Sequence, residues 1–287
     1  MATLSLDQLV ASVKELPPLP ATAVRLMEMT SDSTASARDI GDLIGSDVAM
    51  TTRVLRIANS AFYGMPRSVQ TVRDAVLILG MRAVRSLAIA AAASDTLQME
   101  SAGYRMGQGE LWKHSLHTAM LAQMVASRTG AAPGDEAFVA GLLHDVGKVV
   151  LSVYVSAQFD AIEALAELDG IQFTQAERGV LGFDHAEVGA RVADRWNLPQ
   201  VLCEAVGGHH GPFDGGKDES LAVVVHLANV LAGDERLGRR APYATALDPA
   251  AGERLGLTSQ DHEDLIAEAA ANAANAGSLF GLAAQAA

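Results

Sequence analysis

Apolar residues recur at three- and four-residue spacing along most of the chain, and each run is punctuated by a polar cap, a proline or a glycine. Leu6, Leu9, Val10 and Val13 form the first run, with Ser5 placed to cap it. Leu16-Pro17-Pro18-Leu19-Pro20 ends that run in an extended turn, because each proline restricts the residue before it. The spacing then predicts a helix through Val24, Leu26, Met27 and Met29. A second passes through Ile40, Leu43 and Ile44 behind Ser36, and a third through Val48, Met50, Val54, Leu55 and Ile57 behind Asp47. A loop over 59–66 carries Phe62 and Tyr63, and helices 72–79 and 81–97 follow, hinged at Gly80.

The polar stretch 101–109, with Gly103, Gly107 and Gly109, reads as a boundary between halves. Beyond it the periodicity predicts helices over 110–127, 137–154, 159–168, from Thr174, over 185–196 behind Asp184, over 201–210 and over 220–231. Thr258 with Asp261 caps a last helix through Leu265 and Ile266. The β-branched run 149–155 suits a strand by propensity, but no neighbouring run offers a partner across a turn, so it is read as helix. The fold class is all-α, in two packed helical subdomains, 1–104 and 105–235, followed by a helical tail, 236–287.

Composition supports this picture: 49% of residues are hydrophobic and only 5% aromatic, with alanine and leucine abundant. The net charge of −13 argues against general affinity for nucleic acid or anionic lipid. Cys203 is the only cysteine, so no disulfide forms within the chain, which suits a reducing cytoplasm. No basic-then-apolar leader opens the sequence, and Arg82 and Arg85 interrupt the most apolar stretch, 75–94; a soluble, cytoplasmic protein is expected.

Charge is unevenly distributed. From Val48 to Ser94 there are six arginines (Arg53, Arg56, Arg67, Arg73, Arg82 and Arg85) against one acid, Asp74. Such a segment is either a solvated, ion-paired face or a surface for an acidic partner or a phosphate ligand.

The densest chemistry lies in Gly141-Leu142-Leu143-His144-Asp145-Val146-Gly147-Lys148, where an imidazole and a carboxylate are adjacent and Lys148 falls one helical turn after His144. Both groups are ordinary ligands of a divalent metal, although they would equally form a buried ion pair at a helix end. Other groups of the same kind stand at helix positions: Glu110 and His114 four apart, His185 at a helix start, and His209-His210 at a helix end. Several helices each supplying one such group is how helical proteins build inward-facing metal sites. A buried polar network that only specifies the fold is the plainer alternative. His117 and His262 are read as structural.

The stretch 141–148 resembles the signature of the HD superfamily of helical metal-dependent phosphohydrolases. The wider pattern is similar to one branch, the HDOD (HD-related output) domain of bacterial signalling. That likeness is carried by Leu16-Pro17-Pro18-Leu19-Pro20, Arg56-Ile57-Ala58-Asn59-Ser60 with Tyr63-Gly64, Ala75-Val76 with Leu79-Gly80, Gly182 with His185, Trp196 with Leu198-Pro199, His209-His210 and Val225-His226-Leu227-Ala228-Asn229. It implies an HD-like bundle in the second subdomain. It also implies a metal set matching Glu110, His114, His144, Asp145, His185, His209 and His210, with Lys148 facing a substrate phosphate. In the cyclic-dinucleotide-cleaving HD-GYP relatives the final ligand is an aspartate, and Asn229 holds that place here. A neutral amide bridges metals less well than a carboxylate. Gly211-Pro212-Phe213 stands where those enzymes have their glycine-tyrosine-proline signature. The resemblance therefore implies a regulatory module without turnover, binding signalling proteins or a nucleotide second messenger. Any divalent metal (Fe, Mn, Zn or Mg) would be held weakly or partially. The alternative is a metal-dependent phosphodiesterase in which Asp145 and Lys148 take catalytic roles.

Overall fold

The computed structural model describes Leu6, Leu9 and residues 21–30, 36–59, 63, 68–215, 219–234 and 245–275. The proline turn 16–20, most of the first helix, the loop 60–67 apart from Tyr63, Arg67, Gly216 and the alanine-rich end past Asn275 lie outside the described residues. The described chain is all-α. Its only extended pairing is an isolated bridge between Ser101 and Met106. None of its helices is long and apolar enough to cross a membrane.

Two compact units are formed, one built on 18–95 and the other mainly on 96–269. In the first, five helices follow the apolar spacing: α1 (Ala21–Thr30), α2 (Ala37–Gly45), α3 (Val48–Ala58), α4 (Val72–Leu79) and α5 (Met81–Leu97). Ser36 caps α2 in a reciprocal box with Asp39, Asp47 caps α3 through the Met50 amide, and Thr71 caps α4. Gly80, at φ +88°, makes the hinge between α4 and α5 that a residue with a Cβ would resist. Ile40, Ile44, Val54, Ile57, Ala75, Val84 and Leu87 are fully buried. Asn59 ties the end of α3 to Val69: its amide donates to the Leu55 and Val69 carbonyls, and its Oδ1 accepts from the Val69 amide.

Among the arginines, Arg53 pairs with Asp95 at 2.9 Å and donates to the Ala91 carbonyl, while Arg73 reaches Asp42 at 3.5 Å. Arg73 and Arg82 are exposed, and Arg56 and Arg85 half-buried.

The second unit is organised on α6 (Glu110–Thr129), which is buried nearly all round by Leu111, Trp112, Leu116, Met120 and Val125, the pattern of an interior helix. It packs on α7 (Gly134–Leu143) and on α13 (Ser220–Ala232). The expected single helix over 137–154 is instead two: α7 ends at Leu143, His144 and Asp145 form a turn, and α8 (Val146–Val155) follows. Packing supplies the reason. Gly141 lies against the α6 backbone, where a Cβ would stand 2.9 Å from the Thr118 carbonyl oxygen, whereas Gly147 lies against His185. One straight helix could not serve both contacts. The run 149–155 is helical despite its β-branching.

Helices α9 (Phe159–Asp169), α10 (Phe173–Leu181), α11 (His185–Arg195) and α12 (Gln200–Gly208) complete the wall, with Asp184 capping α11 through the Glu187 amide. Two short elements were not anticipated. A 3-10 turn, Ala102–Tyr104, buries Ser101, Gly103 and Tyr104 inside a stretch read as a polar boundary, so 101–109 belongs to the second unit. Helix α14 (Pro249–Leu255) starts on an Asp248 cap, and α15 (Ser259–Asn275) follows the expected Thr258–Asp261 cap.

Candidate metal centre

Four separate positions of the second unit converge. His114 comes from the first turns of α6, His144 and Asp145 from the break between α7 and α8, His185 from the start of α11, and His209 and His210 from the end of α12. Asp145 is the hub and is fully buried. Its Oδ2 lies 3.5 Å from His114 Nε2, 3.4 Å from His144 Nε2 and 2.7 Å from Lys148 Nζ. Its Oδ1 lies 3.2 Å from His185 Nε2 and 3.9 Å from His209 Nε2. His210 joins through its Nε2, 3.0 Å from that of His185. Ligand-type atoms therefore gather in two groups, His114–His144–Asp145 and His185–His209–His210, each within 4.8 Å.

Lys148 meets Asp145, three residues back, and not His144 as an uninterrupted helix would have it. Glu110 is not drawn in. It is exposed, and its Oε2 accepts from the Gly107 amide at 2.7 Å, tying down the turn before α6. Asn229 is buried on α13, with its amide donating to Thr245 Oγ1 at 3.4 Å.

The rings are oriented by what lies behind them. His144 Nδ1 is 2.7 Å from the Gly141 carbonyl, His209 Nδ1 is 2.6 Å from the Val206 carbonyl, and His185 Nδ1 is 2.7 Å from Glu177 Oε2. A carbonyl or carboxylate can only accept, so each Nδ1 carries the proton. In the neutral ring the Nε2 lone pair is then left facing Asp145. His209 Nε2 is buried without a hydrogen-bond partner. Imidazoles backed by acceptors around a shared carboxylate are, once their inward nitrogens are deprotonated, the donor set a divalent metal takes, so the residues fit one.

Two supporting roles are not foreshadowed by the sequence: Glu177 stands in no motif, and His226 enters only as part of the family likeness. Glu177 is completely buried on α10 and binds both the amide and Nδ1 of His185. Its sequence signal is a carboxylate four residues from both Phe173 and Leu181, on the side of an amphipathic helix meant for the core. His226 is also buried; its Nδ1 donates to the His209 carbonyl and its Nε2 accepts from the Asp248 amide, anchoring the end of α12 and the start of α14.

The electrostatics are mixed in sign. Burial would push the Asp145 carboxyl up, but the His144 and Lys148 charges outweigh it and hold it well below the usual carboxylate range. Burial lowers His185, yet Glu177 beside it lifts the ring to about 9. Burial, reinforced by neighbouring imidazoles, holds His209 and His210 well below the ordinary imidazole range, so both are neutral donors near pH 7. Below about pH 6.5 the unfolded rings take up protons that the folded ones refuse, so stability falls as pH falls. His185 acts oppositely, but its contribution is already complete below about 6.5. The metal-free protein should therefore lose up to about 1.4 kcal/mol per pH unit for each of His209 and His210 as pH drops below about 6.5. Urea midpoints at neutral and mildly acidic pH check this, and a flat profile would contradict it.

Comparison with known proteins adds family to geometry. The chain resembles, in structure and sequence, an HDOD domain protein of Geobacter sulfurreducens (TM-score 0.75, 28% identity, 98% of each chain covered). It is also similar to a candidate phosphohydrolase of Shewanella amazonensis (TM-score 0.72, 25% identity, 96% and 97% covered). A candidate signal transduction protein of Marinobacter aquaeolei matches at TM-score 0.68 and 26% identity, covering 95% of this chain and 60% of that one. Among curated proteins, an uncharacterized protein of Treponema pallidum is 29% identical over 208 residues, 69% of this chain. Ribonuclease Y of Clostridium kluyveri is 32% identical over 112 residues, 39% of this chain. The chain spans 38% and 16% of the lengths of those two relatives. The HDOD domain family matches residues 16–212, and with a histidine–aspartate centre assembled inside that span the chain belongs to the HDOD family.

Proposed function

We propose that this HDOD chain is a signalling module that works by binding, without turnover of its own, and that its histidine–aspartate centre takes at most one weakly held divalent metal. The observation carrying this reading is the carboxylate count. Asp145 is the only carboxylate among six clustered ligand-type groups, Glu110 faces outward, and Asn229 offers an amide engaged with Thr245. Two-metal hydrolysis needs anionic ligands to balance and clamp the ions, and one carboxylate is a poor complement. The residues that would hold a metal are His114, His144, Asp145, His185, His209 and His210, and a bound ion would supply Lewis-acid polarisation or an activated water. The partner is a signalling protein or a nucleotide second messenger. The arginine-rich segment supports an acidic or phosphate-bearing one, with Arg73 and Arg82 exposed and Arg56 half-buried.

A phosphohydrolase is the second reading. Lys148 favours it: a partly accessible ammonium 2.7 Å from Asp145 could neutralise a phosphate beside the centre. Both readings are tested by metal analysis of protein purified without chelator or nickel, together with assays on a cyclic dinucleotide and on bis(p-nitrophenyl) phosphate. The expected result is one metal per chain or less, no hydrolysis, and increased metal uptake in Asn229→Asp. Robust hydrolysis by the unmodified chain, abolished in His144→Ala, would establish the enzyme instead.

A further inference from the structure

The stretch 98–109 joins α5 to α6, and it is held more firmly than a connection needs to be. Ser101 and Met106 exchange two backbone hydrogen bonds, and the Gly109 amide donates to the Gln98 carbonyl. Gly103 presses on α8: its amide donates to Ser152 Oγ at 2.9 Å, and a Cβ there would stand 2.0 Å from the Ser152 carbonyl oxygen. Arg105 holds a left-handed backbone, φ 54°, unusual for a side-chain-bearing residue and stable only where the surroundings enforce it. Its guanidinium lies 4.6 Å over the Phe159 ring and pairs with Asp160 and Glu163. Tyr104 is buried edge-on to Phe159, near Phe173.

The tyrosine hydroxyl gives this turn chemical meaning. It donates to Glu177 Oε1 at 2.6 Å, while the other oxygen of the same carboxylate accepts from the amide and Nδ1 of His185. His185 Nε2 in turn faces Asp145 and His210. The relay Tyr104–Glu177–His185 is therefore continuous and buried, and it ends on one side in the candidate centre and on the other in a surface turn. Packing alone would be served by phenylalanine at 104 and by an apolar residue at 177. A buried carboxylate with three donors is a specific, orienting device.

We infer that Glu177 is a positioning residue that fixes His185 with Nε2 toward Asp145, and that Tyr104 makes the 101–106 turn a latch whose order follows the occupancy of the centre. This deepens the proposed function and rests on its metal reading: it gives the centre a way to alter the surface without catalysing anything. When His185 is ligated its ring is fixed, the Glu177 carboxylate is fixed with it, and the Tyr104 bond tightens. When His185 is free its ring can trade partners with His210, and the turn loosens. The coupling is reciprocal, so a partner gripping the turn would raise metal affinity.

The test uses the full chain and Zn²⁺ alone as the probe, with hydrogen exchange of the 101–106 amides and calorimetric affinity as readouts. Zn²⁺ should slow exchange in the turn. Glu177→Ala should weaken binding 10- to 100-fold, the range for outer-shell partners of metal ligands. Glu177→Gln should restore most of that, because its amide oxygen still accepts from His185. Tyr104→Phe keeps the ring packing, so it should fold, bind Zn²⁺ within a few-fold of the parent and lose the metal-dependent slowing. Unchanged affinity in Glu177→Ala, or undiminished slowing in Tyr104→Phe, overturns the inference. If the parent takes up no Zn²⁺, the metal reading fails by itself. The latch is then decided in the metal-free chain: exchange at 101–106 about tenfold faster in Tyr104→Phe supports it, and unchanged exchange overturns it.

Discussion

Asp145→Ala should abolish metal retention and remove about 3–5 kcal/mol of stability, the cost of deleting one member of a buried charged cluster. The carboxylate is completely buried, with His114, His144, His185 and His209 between 3.2 and 3.9 Å from its oxygens and Lys148 at 2.7 Å. Its removal leaves the Lys148 ammonium and the lifted His185 with no anion between them, only Glu177 behind His185. Lys148 can swing toward solvent, since its side chain is 16% exposed, but His185 cannot. The loss should therefore be larger at neutral pH than near pH 9, where His185 sheds its charge. Asp145→Asn separates charge from volume: it fills the space, so most of the destabilisation that persists in it is electrostatic. Urea unfolding and metal analysis of the two variants provide the check. Stability within about 1 kcal/mol of the parent in Asp145→Ala would mean that the cluster does not depend on its carboxylate.

What could be seen in advance was local. Ser36, Asp47, Asp184 and Thr258 sit at helix entries because capping needs only a side chain and the next three amides, all adjacent in sequence. Asp248-Pro249 carried the same kind of signal, a cap followed by proline in the first turn, and opens α14 where no element was expected ahead of the Thr258-capped helix. The clustering of His114, His144, Asp145, His185, His209 and His210 was legible from residue type and helical placement, helped by the family pattern. The outward turn of Glu110 was not, since its choice between the centre and the Gly107 amide depends on a loop that leaves no periodic trace. The arginine segment has the same lesson. Its excess of charge was countable, but Asp95 and Asp42, which take up Arg53 and Arg73, lie just outside the counted window. Tyr104 was missed because a buried aromatic surrounded by glycines and polar residues has no hydrophobic run to announce it.

Gly147→Ala should be among the most damaging single methyls that could be added to the described residues. A Cβ at 147 would stand 1.9 Å from the His185 carbonyl oxygen and 2.6 Å from the Gly189 amide nitrogen, and both are backbone atoms of another helix that no rotamer change can move. Helix α8 can accept alanine only if it separates from α11, and α11 carries His185 while α8 carries Lys148. Overpacking ordinarily costs about 1–3 kcal/mol, and a backbone–backbone clash belongs at or beyond the top of that range. The propensity gain of about 1 kcal/mol from glycine to alanine in a helix is too small to offset it. Gly45→Ala provides the control: Gly45 is the last residue of α2, and nothing lies within 4 Å of its added methyl, so only the propensity gain should appear there. The damage at 147 should also be geometric, with metal uptake falling further than stability does, because a shift of α11 carries His185 away from Asp145. Thermal unfolding and metal content of the two variants decide it. If Gly147→Ala matches Gly45→Ala in both, the close approach of α8 to α11 is not what breaks the chain at His144-Asp145.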